Sequence, residues 1–415
     1  MLNSNTTLTM EEKLEPIFKK ITEVERINTE KVLQAFRDNT VSDSDFNPTT
    51  GYGYDDYGRD KLERVYASIF RAEDALVRPQ IVSGTHAITI ALFGVLRPGD
   101  ELIYITGEPY DTLTQVIGAE APSPGSLTDF GVQYKSIPLT NGKIDLKAVK
   151  EGISDRTKVI GIQRSKGYDD RPSITINEME EVIRTIKSWN RDLIIFVDNC
   201  YGEFVELYEP TDIGADLIAG SLIKNPGGGI ARSGGYIAGK SKLVELASYH
   251  LTAPGIGKEI GASVGMLQEM YQGIFLAPHV VSEALKGAVF TAAYLEEMGF
   301  TTTPKFDDIR TDLIQSVNFH SAEEMIAFCQ EIQKYSPINS HVLPYPAPMP
   351  GYEDEVIMAA GTFIQGASLE LTADGPIRPP YTAFVQGGLT YQHVKIAVTN
   401  AVKAIRSDSI DSFIR

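Results

Sequence analysis

The chain has 415 residues, 42% hydrophobic and 22% charged, with 38 Lys+Arg against 55 Asp+Glu and a formal net charge of −17. At about 150 residues per domain this length supports two or three domains, and an acidic chain without a basic run excludes nucleic acid as a partner. The polar N-terminus reads as no signal peptide, the apolar stretch Ile81–Leu96 falls short of the roughly 20 residues of a membrane span, and two cysteines fit a cytoplasmic protein rather than a disulfide scaffold.

In chain order, residues 9–37 read as an amphipathic helix. Thr9 and Glu12 have the spacing of a capping box, and Leu14, Ile17, Phe18, Ile21, Val24, Val32, Leu33 and Phe36 recur at helical spacing. Asp38 to Arg59, rich in Asn, Asp, Gly and Tyr, reads as an exposed loop. Helical patterns at Lys61–Arg71, Ala87–Val95, Asp111–Gly118, Asn177–Ser188 and Lys240–His250 then alternate with strand-like runs. Those runs are Leu102–Ile105, Thr157–Ile162, Leu193–Val197, Leu217–Ser221 and Tyr236–Ala238. The alternation predicts βαβ units and a mainly parallel sheet flanked by helices. A long helical pattern after Pro278, over Ala277–Met298, leads to a smaller C-terminal α/β domain. The expected division is a helical arm and loop over 1–50, a large α/β domain over 51–285 and a small domain over 286–415.

Open α/β sheets bind ligands beyond the carboxyl ends of their strands. Asp198 ends the apolar run Leu193–Val197, where an acid either starts a turn or faces a ligand. Lys224 follows Leu217–Ser221 and precedes Asn-Pro-Gly-Gly-Gly; it is either a surface lysine leading a turn or a pocket lysine whose pKa desolvation lowers for Schiff-base chemistry. A short β-like run at Ile81-Val82 breaks at Ser83-Gly84-Thr85 and opens a helix, as a plain N-cap or as a phosphate cradle. Tyr110, after Leu102–Ile105, either packs in the core or covers a flat ring. Cradle, ring-covering Tyr, strand-end Asp and pocket Lys in this order are what pyridoxal phosphate demands.

At these segments the chain resembles a known family. Ser83-Gly-Thr-His-Ala, Gly107-Glu-Pro-Tyr-Asp, Gln163-Arg-Ser-Lys-Gly-Tyr with Arg171-Pro-Ser, Val197-Asp-Asn-Cys-Tyr-Gly-Glu-Phe, Gly220-Ser-Leu-Ile-Lys-Asn-Pro-Gly-Gly-Gly and Gln386-Gly-Gly-Leu-Thr-Tyr are similar to the aluminium-resistance protein family. That family belongs to the cystathionine- and methionine-lyase branch of fold type I pyridoxal-phosphate enzymes, and the resemblance runs from about Tyr52 to Val402. It implies the fold type I transferase-like architecture, pyridoxal 5'-phosphate as cofactor and a C–S lyase acting by β- or γ-elimination on a sulfur amino acid. It further implies Lys224 as Schiff-base lysine and base, Asp198 at the ring nitrogen, and Tyr110 over the ring and in catalysis. Ser83, Gly84, Thr85 and Ser221 would hold the phosphate, and Arg378 would bind the substrate carboxylate, with Arg164 as a second substrate contact. A homodimer or homotetramer is implied, with a neighbouring site completed from Tyr52, Tyr54, Tyr57 or Arg59. Where relatives of the better-known branch carry a Tyr-Ser-Arg-type loop and a Thr before the lysine, this chain has Gly51–Arg59 and Ile223. Transamination, γ-replacement or an idle stress-response protein stay open as alternatives.

Other signals are set aside. Gly255-Ile-Gly257-Lys-Glu-Ile-Gly261 mimics a dinucleotide fingerprint, but Pro254 stands where a strand should. The six histidines and two cysteines show no metal-ligand spacing. Cys200 reads as a buried inert thiol, and His86 either as a contact behind the cofactor or as a core histidine.

Overall fold

The structure is a computed structural model that describes residues 4–349, 352 and 354–413; the ends of the expected spans, residues 1–3 and 414–415, lie outside them. Helix α1 (Ser4–Asp38) runs through Pro16, and α2 (Tyr57–Ile69) leads to strand β1 (Asp74–Arg78). Helix α3 (Gly84–Val95), β2 (Glu101–Tyr104), α4 (Asp111–Ile117), β3 (Gln133–Ser136), α5 (Leu146–Gly152), β4 (Thr157–Gln163), α6 (Ile176–Trp189) and β5 (Ile194–Asp198) follow. Then come β6 (Leu217–Ser221), β7 (Gly235–Gly239), α7 (Ser241–Leu251) and the long α8 (Leu267–Glu297). The chain closes with β8 (Thr301–Thr303), β9 (Gln315–Asn318), α9 (Ala322–Lys334), β10 (Val356–Ala359), β11 (Thr372–Pro376), β12 (Thr382–Gln386) and α10 (Tyr391–Phe413).

The first sheet has the order β1-β7-β6-β5-β4-β2-β3. Strands β6, β5, β4, β2 and β3 are parallel, and β7 and β1 add an antiparallel edge. Residue alternation sends its strands into two apolar layers. Ile103, Ile160, Ile162, Ile195, Val197 and Ile218 pack with α2, α6 and the first half of α8, whereas Leu102, Val159, Ile194, Phe196 and Leu217 pack with α3, α4 and α7. The architecture is α/β with a mainly parallel central sheet, as expected.

The second sheet, β10-β11-β12-β9-β8, is wholly antiparallel and packs on α9, α10 and the second half of α8. In α8, side chains up to Leu285 enter the first core and those from Val289 enter the second. Helix α1 makes the same bridge, with Val32 and Ala35 in the first core and Met10 and Leu14 in the second. Helix α8 is long and apolar enough to cross a membrane by length and composition, but 72% of its most apolar window is buried inside the protein.

Several local expectations change. Helix α1 begins at Ser4, so Thr9 lies inside it rather than capping it. The loop after it ends at Asp56, whose side chain accepts from Arg59 N and caps α2, so Tyr57 and Arg59 are helical. Ile81-Val82 is no strand; the strand before α3 is β1, which ends at Arg78, three residues before Ile81. Pro278 sits within α8 instead of starting it. Strands β3 (Gln-Tyr-Lys-Ser), β8 (Thr-Thr-Thr) and β9 (Gln-Ser-Val-Asn) had escaped because they are too polar and too short to alternate.

Helices α3 and α7 meet at Gly94, where an added Cβ would lie 2.7 Å from Ala247 Cα. Ala is the better helix former by about 1 kcal/mol, yet overpacking against backbone costs about 1–3 kcal/mol. Gly94→Ala is therefore expected to lower the melting temperature, measured by circular dichroism; a rise would show that α3 and α7 separate freely.

Candidate active site

The carboxyl ends of β2, β4, β5 and β6 open into one cavity of about 540 Å³. In the sheet register Gln163 pairs with Asp198 and Asp198 with Ala219, two residues before Ser221. Parallel pairing thus brings the polar strand ends of β4, β5 and β6 side by side. Asp198 is 4% exposed, and its Oδ1 accepts from the Cys200 N–H at 3.1 Å. Burial pushes this carboxyl up from the usual Asp range, while the Lys224 charge opposes the rise.

Lys224 follows β6 in a tight turn and points into the cavity, its Nζ 4.0 Å from the centroid of the Tyr201 ring. Burial draws its amine down, but Cys200, Tyr201, Asp198 and Tyr110 around it pull it up further. The net direction is upward, against the lowering that desolvation alone predicts, with Asp198 as the carboxyl among those neighbours. Tyr201 has a left-handed backbone (φ 68°), which is uncommon for an aromatic residue and sets its ring beside this amine.

Tyr110 opens α4 at the N-cap position. Its N–H donates to Gln163 Oε1 at 2.8 Å, and its hydroxyl and Thr85 Oγ1 share a hydrogen bond of 2.8 Å. Burial, with Asp198 nearby, raises the phenol, so it is a neutral donor at physiological pH. Ser83 caps α3 by accepting from the His86 N–H at 3.0 Å. The N–H groups of Gly84 and Thr85 in that first turn have no intrahelical acceptor. A Cβ on Gly84 would stand 3.1 Å from Cys200 Sγ and 3.4 Å from Ser221 Cβ, so glycine keeps this cradle open. Ser83, Gly84, Thr85, Tyr110, Asp198, Ser221, Lys224 and Arg378 all line the one cavity.

Three expected residues lie elsewhere. Arg164, expected against substrate, is fully buried and absent from the lining. Its guanidinium donates to Asn199 Oδ1 at 2.8 Å, Glu206 Oε1 at 3.1 Å and Thr311 Oγ1 at 3.1 Å. Those partners satisfy the charge behind β5 and leave nothing for a ligand. Tyr54 and Tyr57 are 63% and 74% exposed and lie outside this chain's own cavity; Tyr54 stacks on Tyr52 with centroids 5.5 Å apart. Arg59 is buried, with its guanidinium donating to the carbonyls of Gly53 and Gly261 and pairing with Asp60. Arg378 lines the cavity mouth, 58% exposed and 3.1 Å from Asp354.

Sequence reasoning had missed Lys166, Tyr201, Tyr352 and Gln386 in the lining and left Tyr168 without a role. The signal for Lys166, Tyr201 and Gln386 was membership in the family-like segments at the ends of β4, β5 and β12, whereas Tyr352 lies in no such segment. A second cavity of similar size, between α3, α4 and α7, is lined by His86, Phe93 and His250 with no Asp, Glu, Lys or Arg. His86 faces it, with its Nδ1 accepting from the Val82 N–H, so this histidine lies away from the Lys224 cavity.

The family model for methionine gamma-lyase matches residues 3–406. YnbB of Bacillus subtilis, an uncharacterized protein, is 63% identical over 406 residues, 97% of this chain and 96% of its own length. A Listeria innocua structure described as a candidate cystathionine beta-lyase involved in aluminum resistance is 62% identical, with a TM-score of 0.95 over 97% of this chain and 100% of that one. The Clostridium novyi structure described as a carbon-sulfur lyase involved in aluminum resistance is 47% identical, with a TM-score of 0.91 over 95% and 93%. The pyridoxal-5'-phosphate-dependent protein YhfS of Escherichia coli, at 16% identity and a TM-score of 0.62 over 92% and 97%, shares the fold. This chain belongs to the methionine gamma-lyase family of pyridoxal 5'-phosphate enzymes.

Proposed function

We propose that this chain is a lyase that breaks a C–S bond in a sulfur-containing amino acid. The observation that supports it is the meeting of Lys224, Asp198 and Tyr110 in one cavity whose floor is the α3 cradle. The cofactor fits these residues: a buried acid waits at a strand end, and the cradle has space because Gly84 lacks a Cβ. Bound there, pyridoxal phosphate supplies an aldehyde that condenses with amines and a ring that draws electrons from the amino acid's Cα.

Each residue then has one task. The N–H groups of Gly84 and Thr85, with the hydroxyls of Ser83 and Ser221, face the phosphate. Asp198 holds a proton at the ring nitrogen. Lys224 would hold the cofactor's aldehyde carbon, and its Nζ, as a free neutral amine, would take the Cα proton. Tyr110, protonated and steadied by Thr85, gives its proton to the departing sulfur. Arg378 at the mouth draws in an anionic amino acid.

The exposed Tyr52, Tyr54 and Tyr57 point to a second copy of the chain that covers them and takes their hydroxyls into its own site. The protein then works in the cytoplasm as a homo-oligomer.

The purified protein is expected to show a yellow absorbance band that borohydride removes, leaving the cofactor's mass on the Lys224 peptide. Lys224→Ala is expected to fold, shown by unchanged circular dichroism, and to lose turnover of L-cystathionine, L-cysteine and L-methionine by at least about 10²–10⁴-fold. Unchanged turnover would end the reading.

If sites are shared, mixing Lys224→Ala with a Tyr54→Ser/Tyr57→Ser variant restores partial activity, since a mixed dimer carries one intact site. No recovery, with mixed dimers shown by native mass spectrometry, would place both tyrosines outside the site.

A further inference from the structure

The structure buries five cations among its described residues: Arg59, Arg78, Arg164, Lys166 and Arg171. Four have a carboxylate close by. Arg59 stands 2.8 Å from Asp60, Arg78 2.7 Å from Glu63, Arg164 3.1 Å from Glu206 and Arg171 3.5 Å from Asp169. Lys166 alone has no carboxylate within 4 Å among the described residues, although it is only 2% exposed.

Its Nζ donates to Ser316 Oγ at 2.8 Å and to the Thr303 carbonyl at 3.3 Å, and it stands 5.9 Å from the centroid of the Phe384 ring. These acceptors are neutral. Asp312 is engaged by Ser173 and by the Ile314 N–H, and it acts on Lys166 only at longer range, with Asp170 on the same side and Arg171 and Arg310 opposing. Burial accordingly draws the Lys166 amine below its usual value. An ammonium taken out of water without a counter-ion is costly. Lys166 also lines the cavity that holds Lys224.

We propose that Lys166 receives the α-carboxylate of the amino-acid substrate, whose arrival supplies the missing counter-ion. This inference rests on the amino-acid lyase reading above. The α-carboxylate is the one anion common to all amino acids, and it lies two bonds from the amine that displaces Lys224. Arg378, the expected anchor, is more than half exposed and already paired with Asp354, which suits it to the mouth of the cavity and not to its interior. The site does not need Lys166 for its own integrity, because Ser316 Oγ also donates to the Thr303 carbonyl at 2.8 Å.

The test uses the cofactor-loaded protein and two probes, L-alanine, which has no sulfur to eliminate, and L-alaninamide, which lacks the carboxylate charge. Binding is read from the shift of the cofactor absorbance. Lys166→Gln is expected to weaken L-alanine binding by about 10- to 100-fold and to leave L-alaninamide unchanged. Lys166→Arg should recover part of the loss, and borohydride should still label Lys224 in each variant. Lys166→Met should melt no lower than the parent, since it removes an unpaired buried charge and orphans no acceptor. L-alanine binding that survives Lys166→Gln but fails in Arg378→Gln would overturn the assignment. So would an equal loss for both probes together with a lower melting temperature in Lys166→Met, which would make Lys166 a structural clamp. A parent protein with no borohydride-sensitive band at Lys224 would instead bring down the lyase reading and this inference with it.

Discussion

The site depends on the placing of one buried acid. Asp198 closes an apolar strand with neighbours on both sides, and its carboxyl could not stay there without compensation. Part comes from the Cys200 N–H and part from the Lys224 charge, which the parallel register of β5 and β6 carries to the same end of the sheet. Lys224 in turn is drawn toward its charged form by the Asp198 carboxyl. Acid and amine stabilise each other, and the cavity exists where they meet.

Behind that pair lies a second polar layer which never reaches the cavity. Arg164, Asn199, Glu206 and Glu209 bond to one another, with Asn199 Nδ2 donating to Glu209 Oε2 at 3.0 Å. Asn199 adjoins Asp198 in the chain, so this network fixes the backbone that presents the acid. Glu203 is buried beside it, pushed up to about 8 by burial and donated to by the Tyr236 hydroxyl at 2.8 Å. The Arg164–Asn199–Glu206–Glu209 bonds fix this layer, which suits a site whose groups must hold position.

How legible this was varied with the physics of each element. Strands β2, β4, β5, β6 and β7 stood out because burial on both faces makes them continuously apolar, and Lys224, Asp198 and Tyr110 could be found by looking at their ends. Arg164 was misplaced by one residue's worth of geometry. Along an extended chain neighbours point opposite ways, so Gln163 and Ser165 line the cavity and Arg164 faces away from it. Strands β8 and β9 were hidden because Thr-Thr-Thr and Gln-Ser-Val-Asn carry little hydrophobic signal, and with them went Thr303 and Ser316, the partners that give Lys166 its meaning. Arg59 and Tyr57 looked like loop residues until Asp56 capped α2.

The two lysines of the cavity show how one fold separates two tasks with the same side chain. Lys224 has the carboxyl of Asp198, from the first sheet, acting on it. Lys166 leaves the same sheet but reaches across to Ser316 and Thr303 of the second, where it meets only neutral oxygens. A cation whose charge is already balanced gains little from a further anion, whereas one left unbalanced gains much. A carboxylate entering between the sheets is therefore drawn to the Lys166 side, away from the acid beside Lys224, and its amine is left toward the lysine it has to replace. The orientation of an amino acid in this cavity then follows from where the fold has placed counter-charges and where it has withheld one.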